Sequence, residues 1–236
     1  MKTTLLTAVA ALVLAAAQPG HTQSCDTFYP LKKGVSGEMT SYSPKNKMQS
    51  RVSYAVTETK TLPDGVEAEI ASEMFDDKNK PITQTTYTVQ CRGGNIYLDM
   101  ESMLNKGAFA GMKDVEVQLE TDYLQYPGTL KTGDKLPNGA ITMTVLAQGR
   151  EIATNNMQIT NRRVTGTEQI TTPAGTFTAQ VVEYDLVSHM RTMGLGKPVT
   201  TRVKEYISKG AGVVRSETYD ANNKLTGYTV LTKLQR

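Results

Sequence analysis

Few side chains in these 236 residues have the type and spacing that chemistry needs. The two histidines are His21 and His189. His21 lies beside an N-terminal leader, so a serine triad would have to use His189, and no Gly-x-Ser-x-Gly elbow supplies the serine. Zinc wants several His or Cys ligands, which a lone histidine does not provide. The run Asp76-Asp77-Lys78-Asn79 has the composition of a calcium loop without its glycine or distal glutamate, and reads as a solvated hairpin tip. Among many carboxylates, Asp99, Glu101 and Asp114 are best placed for a cleft, but their spacing singles out no acid–base pair. A glycosidase cleft is also lined with Trp and Tyr, and this chain has no Trp. The glycines of residues 171–177 (TTPAGTF) and 209–212 (KGAG) make turns. A phosphate cradle would need a following helix and a βα unit. The expectation is a protein that is not an enzyme and uses no cofactor or metal.

Two apolar segments stand out instead. Met100, Met103, Leu104, Phe109 and Met112 make residues 100–112 adaptable, and Met190, Met193 and Leu195 lie in the Gly-rich stretch 188–198 (SHMRTMGLGKP). Methionine suits irregular apolar surfaces and promiscuous partners. Two readings stand: these segments roof the open end of a curved sheet and line a hydrophobic ligand site, or they plug the barrel as ordinary core.

The elements that would carry them are strands. Residues 51–60 alternate with Val52, Tyr54 and Val56 on one face, then turn at Pro63-Asp64-Gly65. Hairpins follow at 66–75, 81–91 and 96–100, and strands resume at 115–120, 141–146, 157–166 and 167–171. Residues 177–186 (FTAQVVEYDL) form a strong strand whose paired Val181-Val182 signals a β-bulge or a switch of face. Residues 200–208, 213–219 and 225–234 complete about a dozen strands. Residues 101–111 break the alternation and read as a short helix or cap. The expected fold is all-β and antiparallel, with strongly curved sheets forming an open barrel-like domain with one short helical insertion.

Lys2 and the apolar run 5–17 (LLTAVAALVLAAA) read as a signal peptide, too short to span a bilayer that takes about 20 residues. Cleavage is expected after Ala17, or as late as Ser24, leaving one domain over 25–236 in the periplasm or cell envelope. No second apolar run suggests a transmembrane span. The formal charge of +3 gives no basic stripe for nucleic acid. Two readings compete at Cys25. It can pair with Cys91, the only other cysteine, closing a loop of about 67 residues. Or it can carry a lipid anchor, although Thr22-Gln23-Ser24 is a poor match to a lipoprotein cleavage site.

The segments Thr160-Asn161-Arg162-Arg163-Val164, Thr171 to Phe177 and Glu205 to Glu217, with the opening Cys25 to Gly34, resemble exported bacterial proteins labelled TapB family, relatives of a domain of unknown function with a T-P-A-G-T-F signature. The resemblance covers the whole mature chain and implies a curved, barrel-like antiparallel fold in an envelope protein. It transfers no catalytic residue. Where such relatives favour a Trp near the first strand, this chain has Ser36-Gly37-Glu38. The partners expected are a lipid or hydrophobic small molecule, or another envelope protein. The rival functions are an assembly factor acting by edge-strand pairing and a carboxylate hydrolase.

Overall fold

The computed structural model describes residue 25, residues 28–100 and residues 114–236. Its strands are β1 (Ser36–Tyr42), β2 (Met48–Leu62), β3 (Gly65–Asp76), β4 (Pro81–Arg92), β5 (Asn95–Asp99), β6 (Val115–Thr121), β7 (Tyr123–Tyr126), β8 (Gly139–Ala147), β9 (Arg150–Thr172), β10 (Gly175–Thr192), β11 (Val199–Ser208), β12 (Gly212–Tyr219) and β13 (Leu225–Gln235). They form one antiparallel sheet in the order β6-β8-β9-β10-β11-β12-β13-β1-β2-β3-β4-β5-β7. Most neighbours are sequential hairpins. The exception in mid-sheet is β1 against β13, from Ser36↔Gln235 to Tyr42↔Tyr228, which joins the two halves of the chain.

The two ends of the sheet, β6 and β7, are consecutive in the chain. Only Asp122 separates them, and its N–H donates to the Ala140 carbonyl at 2.9 Å. Up to Thr121 the segment pairs with β8, and from Tyr123 it pairs with β5. One bent segment thus changes partner, curling the sheet into a nearly closed barrel with one unsealed seam. Closure of this kind removes most of the exposed edge that an open sheet would present.

Period-two burial sets the inside. Gly139, Ile141, Met143 and Val145 of β8 are buried while their neighbours are not, and Val89 and Cys91 of β4 do the same. Two register shifts interrupt β9–β10. One falls at Val181/Val182, and both valines are buried, Val182 in the main core and Val181 in a second cluster with Tyr206, Val214 and Leu231. The extra residue there is Thr165 of β9, between Val164 and Gly166, so the valine pair itself marks the switch of face, each valine buried by a different cluster. At the other shift, Asn161 and Arg162 lie opposite Tyr184 alone. Asn161 has φ of 56°, a left-handed conformation that Asn tolerates better than most residues. The extra residue resets the alternation, so Arg162 follows Ile159 to the inside.

The strands exceed the sequence expectation in places. The stretch divided above at 166/167 is one 23-residue strand, β9, starting at Arg150. β10 runs on to Thr192, because polar residues such as Ser188 and His189 still find ladder partners in Met157 and Asn156. Polar side chains on both strands hide this extension from a hydrophobic pattern. The expected helical insertion at 101–111 falls outside the described residues. No helix among the described residues is long and apolar enough to cross a membrane.

Candidate functional site

The first strands and the chain's opening segment enclose an apolar pocket. Val52, Tyr54 and Val56, the face read from the sequence, line it from β2, with Ile70 of β3, Tyr87 and Val89 of β4 and Leu98 of β5 around them. Tyr29 and Leu31 enter from the segment ahead of β1, and Gly212 and Val213 face them. The volume is about 200 Å³. Tyr54 can lie across the pocket wall because position 37 is glycine: a Cβ there would sit 2.3 Å from its hydroxyl.

The opening segment is held in place rather than lying loose. The Gly212 N–H donates to the Phe28 carbonyl at 2.7 Å, and Gly34 and Val35 exchange backbone hydrogen bonds with Val56. Phe28 and Leu31 are buried in the main core. Cys25 forms a disulfide with Cys91, whose side chain is wholly buried. The described residues contain no free cysteine.

Beside the pocket lies a polar cluster. The bulge sends the Arg162 guanidinium into the barrel, where it is 2% exposed. Its Nη1 donates to the Gln125 carbonyl of β7 at 2.9 Å and to the Pro137 carbonyl ahead of β8. One side chain therefore ties together the two segments that flank the seam. The guanidinium lies over the Tyr126 ring, 4.6 Å from its centroid, while Nε and Nη2 find no hydrogen-bond acceptor among the described residues. The Tyr126 and Tyr184 hydroxyls donate to Glu205 at 3.0 and 2.8 Å. The Tyr29 and Tyr126 ring centroids are 6.2 Å apart, which joins the cluster to the pocket.

Burial dominates the electrostatics. It pushes the phenols of Tyr29, Tyr126 and Tyr184 well above their ordinary value, with nearby Glu205 adding to the shift. Tyr87 is pushed up to about 12 by burial and then by Tyr54. All four keep their protons at neutral pH. The Glu205 carboxyl is raised by burial, which outweighs the two tyrosine hydrogen bonds and the charge of Arg162. At Glu38 the balance goes the other way. Burial raises its carboxyl, but hydrogen bonds from Thr232, Lys233 and Arg51 together hold it below the ordinary range.

These shifts have opposite pH signatures. A carboxyl raised on folding contributes stability that is present below its unfolded value and lost as pH rises through the folded one. The Glu205 contribution therefore declines above the ordinary carboxyl range. That of Glu38 is lost as pH falls through its lowered value. Urea midpoints measured across the acid and neutral range should show both limbs, and Glu205→Gln should flatten only the upper one. An unchanged upper limb would remove Glu205 as its source.

The residues singled out in the sequence lie apart. Met100 is fully buried against Gly139, where an added Cβ would come within 2.7 Å of its sulfur. Met103, Leu104, Phe109 and Met112 lie outside the described residues. Met190, Met193 and Leu195 are 57, 82 and 80% exposed on the β10–β11 hairpin, away from the lining of the apolar pocket. His189 is a partly exposed ladder residue of β10 opposite Asn156. Asp99 ends β5, Asp114 precedes β6, and Glu101 is outside the described residues. The Asp76 carboxylate accepts from the Lys78 and Lys80 N–H groups of its own turn, both at 2.8 Å. Among the described residues no group of three or more His, Cys, Asp or Glu could hold a metal ion.

Sequence patterning missed the polar cluster. Its one signal is an Asn-Arg-Arg run inside a strand, with the arginine at the place where alternation has to slip. The DUF3108-like family model matches residues 32–231. The chain belongs to the DUF3108-like family. The match takes in β1 to β12 and most of β13, and with them the strand walls of the pocket and the seam cluster, but not Tyr29 or Leu31 of the segment ahead of β1. A candidate lipoprotein of Parabacteroides distasonis is 28% identical with a TM-score of 0.73, over 90% of this chain and 100% of the other. A candidate exported protein with a YmcC-like fold from Bacteroides fragilis is 21% identical with a TM-score of 0.69, over 89% and 99%. The second likeness concerns the fold of this DUF3108-like chain alone. No curated protein matches it.

Proposed function

We propose that this is a non-enzymatic envelope protein, exported to the periplasm, that holds a small hydrophobic molecule in the barrel pocket. The apolar pocket between the opening segment and β1–β5 carries the reading. At about 200 Å³ it exceeds the roughly 150 Å³ cavity that binds benzene in an engineered core. It falls short of the ~300 Å³ at which drug-sized sites begin. The occupant that fits is one hydrocarbon chain or a single ring, against walls that include Tyr29, Tyr54 and Tyr87. Export is supported by the apolar leader, by a disulfide suited to an oxidising compartment, and by the exported and lipoprotein character ascribed to the two similar structures. The narrower kinship with TapB-labelled proteins rests on the likeness of Cys25 to Gly34, Thr160 to Val164, Thr171 to Phe177 and Glu205 to Glu217.

Mass spectrometry of protein purified without detergent tests the reading. A hydrophobic species should co-purify, and Val52→Phe should abolish its retention by filling the pocket, at an overpacking cost of about 1–3 kcal/mol. A clean spectrum from the wild type, with no uptake of short-chain alcohols by calorimetry, would sink it.

A further inference from the structure

The described residues expose six large hydrophobic side chains, and four of them, Met190, Met193, Leu195 and Val199, fall on one hairpin. Every residue from Met190 to Thr200 is exposed, so the whole tip stands clear of the barrel with these four apolar side chains on it. The tip has a defined shape. Thr192 and Leu195 exchange backbone hydrogen bonds of 2.9 and 3.0 Å. Met193 and Gly194 both have positive φ, 51° and 78°, as in a type I′ hairpin turn. The Met193 N–H donates to the Ile152 carbonyl at 3.0 Å, and Gly196 lies so close to the Met190 carbonyl that an added Cβ would come within 2.0 Å of it. The first turn position, where Asn or Gly relieves strain, is given to a methionine whose side chain is 82% exposed. The fold gains little packing from it.

The charged residues of the tip itself, Arg191 and Lys197, are both basic. Between Asp185 and Glu205 there is no acidic residue, while Arg191, Lys197, Arg202 and Lys204 are all basic. Lys204 pairs with Glu168 and Arg202 donates to Asn223. Arg191 and Lys197 are exposed and make no ion pair among the described residues. The neighbouring β8–β9 turn adds Arg150 and a single acid, Glu151, which accepts from the Thr154 hydroxyl.

We propose that the β10–β11 hairpin tip docks on an anionic lipid surface, with Met193 and Leu195 entering the headgroup–acyl boundary and Arg191 and Lys197 meeting the lipid phosphates. Apolar residues flanked by lysine and arginine are the composition that lies in a membrane interface. A protein partner fits less well, since the exposed tip from Met190 to Thr200 falls short of the roughly 20–30 residues a side that a stable protein interface uses. The proposal is independent of what fills the barrel pocket.

Vesicle sedimentation of the chain, expressed with its own leader and recovered from the exported fraction, tests it. Binding is expected to vesicles containing phosphatidylglycerol and not to pure phosphatidylcholine. Met193→Ser with Leu195→Ser should weaken it at least tenfold, and Arg191→Gln with Lys197→Gln about thirtyfold at low salt. The chain has no tryptophan, so Leu195→Trp makes a single reporter whose emission should shift to the blue on anionic vesicles. Absence of binding, equal binding by the serine variant, or an unshifted reporter would each overturn the proposal. So would tip-dependent self-association without vesicle binding, which would assign the tip to a second copy of the chain.

Discussion

Arg162→Ala should lower the unfolding free energy by about 3–5 kcal/mol, the cost typical of breaking a buried charge network from one side. That is a large share of the ~5–15 kcal/mol a domain commonly has. Three losses coincide. The Gln125 and Pro137 carbonyls lose their shared donor, the Tyr126 ring loses the cation lying over it, and Glu205 loses a positive charge that favours its ionised form. Arg162→Met should recover at least half of the loss. It restores volume, and it removes a buried guanidinium whose Nε and Nη2 have no acceptor. Urea unfolding of both variants, and of each combined with Glu205→Gln, measures the coupling directly. A fall of under about 1 kcal/mol in the alanine variant would mean that Arg162 does not hold the seam.

The repeating part of the fold was legible because hairpins announce themselves locally. Alternation in β2 and the Pro-Asp-Gly turn place Val52, Tyr54 and Val56 on one face, and those three side chains do line the pocket. The adjacent valines at 181 and 182 signalled a switch of buried face for the same reason, since one strand face cannot bury both, and two clusters take one each. Closure was not legible. β7 has four residues and β1 has few apolar side chains, so neither carries a pattern. The change of partner at Asp122 depends on β5 and β8, which are brought together only by folding.

The polar cluster was hidden by a different cause. Arg162, Tyr126, Tyr184 and Glu205 are spread over 80 residues of sequence, and each reads singly as a half-buried strand residue. What makes them a unit is the single-residue slip at Asn161, which turns an arginine inward. By contrast, the methionines of residues 188–198 were easy to notice by type. Their placement follows from the length of the β9–β10 ladder, which carries them to an exposed tip.

Cys25→Ser is the second change with a large expected effect, about 4 kcal/mol on the chain-entropy model. The bond joins residues 66 apart in sequence, so its loss frees an unfolded loop that contains β1 to β3 and nearly all of β4. A local consequence should accompany the global one. The bond anchors the segment bearing Phe28, Tyr29 and Leu31, and Tyr29 and Leu31 form one wall of the apolar pocket. Without it that wall is held by the burial of Phe28 and Leu31 and by hydrogen bonds to Gly212 and Val56. Hydrogen exchange at Gly212 should therefore accelerate more than exchange at Val182 in the main core. Reduction of the wild type should match Cys25→Ser within about 0.5 kcal/mol, because each removes the same single constraint and leaves the buried Cys91 thiol in place. A urea midpoint unmoved by reductant would refute the entropic argument. The sulfur of Cys25 also cannot be both half of this bond and the carrier of an acyl anchor. The non-reducing mass of the exported chain should accordingly fall two hydrogens below the sum of its residues, and an added acyl mass would place the protein on a lipid tether instead.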